Sequence, residues 1–132
     1  MIGRHLRDVP QENNFVLKTG QQIKNLNELC LHLAGMDDET FSHHVNEDKN
    51  DFQNWVFDTV KDEKLAKRIA KAPNRKKMAN IVHNRVTELE QEKRRHENVL
   101  EHGIKWGVKE FGIGLVRGLF LGLIFFKMTG LI

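Results

Sequence analysis

Apolar residues fall along this chain in short groups that alternate first with a period of two and then at helical spacing, before a single greasy block closes the C-terminus. Residues 1–13 are polar, contain Pro10 and show no period, which predicts a loosely ordered N-terminus. Residues 14–18, NFVLK, read as one short strand followed by a turn at Thr19-Gly20. A lone strand leaves its backbone unpaired, so it must form a hairpin with residues 21–24 or pair with another chain. Asn25 is a candidate N-cap, with Glu28 as the return half of a capping box. Behind it, Leu26, Leu29, Cys30 and Leu33 share one helical face, and Gly35 ends the helix. Asp37 and Asp38 open a short helical turn that contains Phe41.

The next stretch offers Asn50 or Asp51 as a cap, after which Phe52, Trp55, Val56 and Val60 recur at helical spacing. Phe52 and Trp55 are expected in a core with Leu29 and Leu33. Leu65 and Ile69, with Ala66 and Ala70, predict an amphipathic helix over about 62–72, stopped by Pro73, which is tolerated in the first turn of the following one. From Asn74 no Pro or Gly occurs until Gly103, which predicts one long helix; about 30 residues would span roughly 45 Å. Its first half carries a stripe of Met78, Ile81, Val82, Val86 and Leu89. Residues 90–98, EQEKRRHEN, are polar all round, as a solvated stalk or exposed surface would be. Apolar character returns with Val99, Leu100, Ile104, Trp106 and Val108. The expected fold class is therefore mainly α: a flexible N-terminus over 1–13, a small helical domain with a strand or hairpin over 14–72, a long connecting helix over 74–110, and a C-terminal transmembrane helix over 111–132.

That last assignment rests on composition. Residues 111–132, FGIGLVRGLFLGLIFFKMTGLI, hold only two charges, Arg117 and Lys127, so the mean hydropathy of −0.52 averages a polar body and an apolar tail. Such a length can cross a hydrocarbon core of about 30 Å. Long cationic side chains can reach back toward headgroups. Two rivals are a half-inserted amphipathic anchor and the buried helix of a soluble oligomer. Gly114, Gly118 and Gly122 recur every four residues, as Gly103 and Gly107 do upstream. Glycines at that spacing leave a groove where another helix backbone can approach, although glycine is common in membrane helices anyway. The N-terminal residues show no apolar signal segment, so insertion is expected to depend on the tail, with the body in the cytoplasm by the positive-inside rule. Cys30 is the only cysteine, which excludes an intramolecular disulfide.

Charge adds one feature. The net charge is +3, from 21 basic and 18 acidic residues. Lys61, Lys64, Lys67, Arg68, Lys71, Arg75, Lys76 and Lys77 nevertheless run together, opposed only by Asp62 and Glu63. A solvated helix face, an anionic membrane surface or acidic protein partner, and nucleic acid compete for this run. Nucleic acid is not the expected partner, because interleaved aromatics and a reader motif are missing.

His43 and His44 are adjacent and the other five histidines scattered, with no HExxH and no cysteine pair, so no metal and no cofactor is expected. His44, Asn46, Asn50, Asp51, Asn54 and Trp55 form either a polar capping network over an aromatic anchor or, as the sharper alternative, a docking surface. Ser42 is the only serine and neighbours His43, but adjacency is not catalytic geometry; with no phosphate loop and no nucleophile elbow, catalysis is not expected.

The segments FVLKTGQQIKNLNEL, ETFSHHVNEDKNDFQNWV and DEKLAKRIAKA, from Phe15 to about Ala72, together resemble an uncharacterised family of small helical domains of archaea and bacteria. His44 to Trp55 carries most of the likeness, which covers a little under half of the chain. The resemblance implies a compact modular domain, often appended to other domains or to membrane segments, and implies no chemistry. The expected function is a non-catalytic, single-pass, membrane-anchored interaction module, an accessory or regulatory subunit that docks on a membrane complex from the cytoplasmic side. Its partners would be the bilayer and membrane subunits, or a second copy through the tail. The alternative is a soluble nucleic-acid-binding or scaffolding protein whose C-terminal helix is an oligomer core.

Overall fold

The computed structural model describes residues 3–128, and for residues 106–128 the helical backbone alone. Strands β1 (Phe15–Val16) and β2 (Gln22–Ile23) pair antiparallel, with Phe15 opposite Ile23 and Val16 opposite Gln22. Gly20 turns the chain at φ 86°, a conformation that glycine adopts without steric cost. Period-two alternation sends Phe15, Leu17 and Ile23 inward and leaves Val16 exposed. Two short strands are marginal alone. Here Phe15 stacks on Phe52 at 4.9 Å, so the hairpin is held by the helices beneath it.

Five α-helices follow: α1 (Leu26–Gly35), α2 (Asp38–His44), α3 (Asp51–Trp55), α4 (Glu63–Ile69) and α5 (Arg75–Met128). Each begins in the same way. The side chains of Asn25, Asp37, Asn50, Asp62 and Asn74 accept from the backbone N–H three residues on, at 2.7 to 3.0 Å. Such caps satisfy donors the helix cannot, typically for about 1 kcal/mol each. Glu28 makes its return bond to Lys24 N–H (2.8 Å) rather than to Asn25, so the box is shifted by one residue. Pro73 stands outside α5, because Asn74 takes the cap position. Between α3 and α4 the chain widens into a π-helical turn at Val56–Val60 and leaves it through Lys61 at φ 63°.

Residues 1–13 were expected to be loosely ordered. From Gly3 on they instead make defined contacts: 3-10 turns form at Arg4–Leu6 and Gln11–Asn13, and Val9 N–H donates to the Lys24 carbonyl at 2.8 Å. His5 Nδ1–H donates to the Val60 carbonyl (3.1 Å) and Trp55 Nε1–H to that of Asn13 (2.8 Å). These bonds link residues up to 55 positions apart, and periodicity carries no trace of them.

The chain forms two units, Met1–Lys93 and Arg94–Ile132. The first has one core, which includes Ile23, Leu26, Leu29, Leu33, Phe52, Trp55, Leu65 and Ile69 and extends onto α5 through Met78, Val82, Val86 and Leu89. The expected burial of Phe52 and Trp55 with Leu29 and Leu33 is what the structure shows. The first turns of the long helix belong to this body rather than to a connector, since their apolar stripe completes its core. In the second unit, residues 94–105 are exposed throughout. Among the described residues no helix is long and apolar enough to cross a membrane. The tail read as a membrane helix, with Gly114, Gly118 and Gly122, lies outside the residues whose side chains are described.

Candidate functional site

The structure divides the six residues of the His44–Trp55 cluster. His44 is 5% exposed at the end of α2, and Trp55 is 7% exposed at the end of α3. Neither offers its side chain to a partner. The His44 ring lies among Phe15, Phe52 and His43. Its Nε2 accepts from Lys18 N–H at 3.0 Å, and its Nδ1 lies 3.0 Å from Asp51 Oδ2. Asp51 Oδ2 also accepts from Lys49 Nζ at 2.9 Å. Burial opposes the Asp51 charge, but the hydrogen bonds from Lys49 and His44 outweigh it and hold this carboxyl below its ordinary value. Asn50 caps α3. Asn46 and Asn54 are exposed and, with Asn50, line a shallow depression beside the turn at Asn46–Lys49. His44 and Trp55 thus lie under the surface, while Asn46 and Asn54 are exposed and Asn50 and Asp51 partly so.

The basic run also divides. Glu88 on α5 accepts from Arg68 (2.9 Å), Lys64 (3.4 Å) and Arg85 (3.1 Å). With these three cations its carboxyl falls from 4.5 to about 2, chiefly through the Arg68 hydrogen bond, against partial desolvation and with help from Arg85 and Lys64. Arg75 donates to the Leu33 and Ala34 carbonyls at the end of α1 and pairs with Asp38 at 3.3 Å. Lys67, Lys71, Lys76 and Lys77 remain exposed, with no ion-pair partner among the described residues.

Sequence reading missed the most buried charges. Asp62 is 2% exposed and Arg85 7%. Arg85 Nε donates to Asp62 Oδ2 at 2.8 Å and Nη2 to Oδ1 at 3.3 Å, while Oδ1 also caps Leu65 N–H. The fork matches the carboxylate, and every Asp62 oxygen has a partner. One clue was available: Arg85 interrupts the apolar stripe between Val82 and Val86, where a charge needs a partner. Cys30 is half-buried, its thiol pushed up by desolvation, with a long contact to the Ala79 carbonyl. Ser42 and His43 are exposed. Among the described residues no three His, Cys, Asp or Glu side chains converge as metal ligands. Compared with known proteins, the chain matches no protein-family model, no curated protein and no solved structure.

Proposed function

We propose that this chain is a non-catalytic interaction module held at a membrane by its C-terminal residues, with the body over residues 3–93 on the cytoplasmic side and the tail paired with another membrane helix through Gly114, Gly118 and Gly122. The observation that carries the reading is core closure. Every buried apolar side chain among the described residues lies between Phe15 and Leu89. The core described for the body is built from residues 15–89, and the apolar block at 111–132 is a separate run of the sequence. Those residues then need an apolar environment of their own, because a block this greasy is costly to leave in water. A bilayer supplies that environment, and an accessory subunit is an economical use of a small tethered body. Carbonate extraction of membranes from cells expressing the full chain tests the tether. The protein is expected in the pellet. Quantitative release to the supernatant would replace the tether by the oligomer-core reading.

A further inference from the structure

We propose that the outward face built from the end of α4 and the first turns of α5 binds duplex DNA along its phosphate backbone. This goes beyond the tether and does not depend on it. From Lys64 to Thr87 the chain carries eight cations and no Asp or Glu, although the whole sequence has 18 acids. Four of those cations, Lys64, Arg68, Arg75 and Arg85, are engaged by Asp62, Glu88, Asp38 and the α1 carbonyls. Lys67, Lys71, Lys76 and Lys77 are exposed and have no such partner among the described residues. Further along α5, Asn80, His83 and Asn84 share the outward side with Lys76, at i+4, i+7 and i+8, while Met78, Val82 and Val86 turn inward. The face is therefore cationic at one end and rich in neutral hydrogen-bonding groups at the other, and the nearest acids, Asp38 and Glu88, are engaged by Arg75, Lys64, Arg68 and Arg85.

The body's own stability does not explain it. Lys76 and Lys77 stand in the first turn of α5 with no acidic residue there, against the preference of the helix macrodipole for negative charge at that end. The composition selects the partner. Among the described residues the large exposed apolar ones are Val16, Leu31, Phe57, Val99, Leu100 and Ile104, none of them in α4 or the first turns of α5. A membrane-surface helix would place apolar side chains beside its cations. A protein interface would centre on aromatic or arginine anchors, and lysine is depleted there. Lysines contact phosphates, and asparagine contacts phosphates and adenine edges, so the face suits a polyphosphate. Without exposed aromatics it lacks a stacking platform for single strands. A helix face enters the major groove of B-form DNA, whereas that of A-form RNA is too deep and narrow.

The experiment is fluorescence anisotropy of a short labelled DNA duplex with the full chain in detergent, read at several salt concentrations. With four contacts, affinity should fall roughly a hundredfold between about 50 and 200 mM salt. The double variant Lys76→Ala/Lys77→Ala should weaken binding at low salt at least about tenfold and reduce the log–log salt slope by about 2. Its melting temperature should stay level or rise, as both cations oppose the dipole. Lys24→Ala, an exposed cation between β2 and α1 and outside α4 and α5, should leave binding unchanged. The proposal is overturned by any of three results: the full chain fails to bind the duplex at low salt, the double variant keeps the wild-type slope, or polyglutamate or phosphatidylserine vesicles compete with the duplex at equal charge. Carbonate extraction is indifferent to all three, so the tether and the DNA face can fail separately.

Discussion

His44 is locked by hydrogen bonds at both ring nitrogens. The Lys18 N–H points at Nε2 from 3.0 Å, so that nitrogen must offer a lone pair and the ring proton must sit on Nδ1, donating to Asp51. The ring is therefore held in one orientation, and it pins the turn after β1 to α2. Nitrogen-15 chemical shifts at neutral pH should report the Nδ1–H tautomer; a protonated Nε2 would mean that this network is misassigned. Replacing His44 by Ala removes the acceptor of the part-buried Lys18 N–H, which should cost about 1 kcal/mol, the low end for an unpaired donor. His44→Gln, whose amide oxygen can still accept, should recover part of the loss in urea unfolding. At this scale the sequence was legible where partners are near neighbours, as in the caps at Asn25 and Asn50. Lys18 and His44 lie 26 positions apart, and nothing local to either residue names the other.

Elements are joined by the Asp62–Arg85 fork, which ties the start of α4 to the middle of the buried part of α5. Removing one partner from a buried pair strands the other charge, a loss of about 3–5 kcal/mol. Arg85→Met should therefore destabilise the body by that amount in urea melts, whereas Lys64→Met, which breaks an exposed contact to Glu88, should cost at most about 1 kcal/mol. Equal effects would show that the fork carries no special share. The same junction has an acid signature. Glu88 titrates at about 2 in the fold against an ordinary 4.5, so its ion pairs contribute fully above about pH 4.5 and fade as pH falls through 2. Because Glu88 is more than a third exposed, that contribution is screened and small. Glu88→Gln should flatten the acid limb of the stability curve without moving its neutral plateau much. Helix existence was legible here because apolar spacing and capping residues agree. The helix α4 to α5 lock was not, since periodicity scores Arg85 as a break in a stripe rather than as one half of a pair 23 residues apart.

At the level of the whole chain, the stripe on α5 decides where the body ends. Read along the sequence, Pro73 looks like a boundary, because it separates a short helix from a long one. In three dimensions the residues behind it finish the core, and apolar burial among the described residues runs on to Leu89. The N-terminal turn also depends on this stretch: a Cβ at Gly3 would meet the Lys93 side chain, which places residue 3 against the last turn of the body. A cut at residue 72 should therefore strip Met78, Val82, Val86 and Leu89 from the core they share with Leu29, Leu33 and Leu65 and give an aggregating fragment. A cut after Lys93 removes only residues outside the core. The fragment 1–93 should be soluble, monomeric at low concentration, and unfold in one cooperative step with the same denaturant midpoint and slope as the body of the full chain, since slope tracks the surface exposed on unfolding. Urea titration followed by tryptophan fluorescence suits the test, because Trp55 is the only tryptophan left in that fragment and its indole N–H is bonded to the Asn13 carbonyl. A lowered midpoint with a reduced slope would show that residues beyond Lys93 complete the core, and the closure on which the membrane tether rests would fall with it.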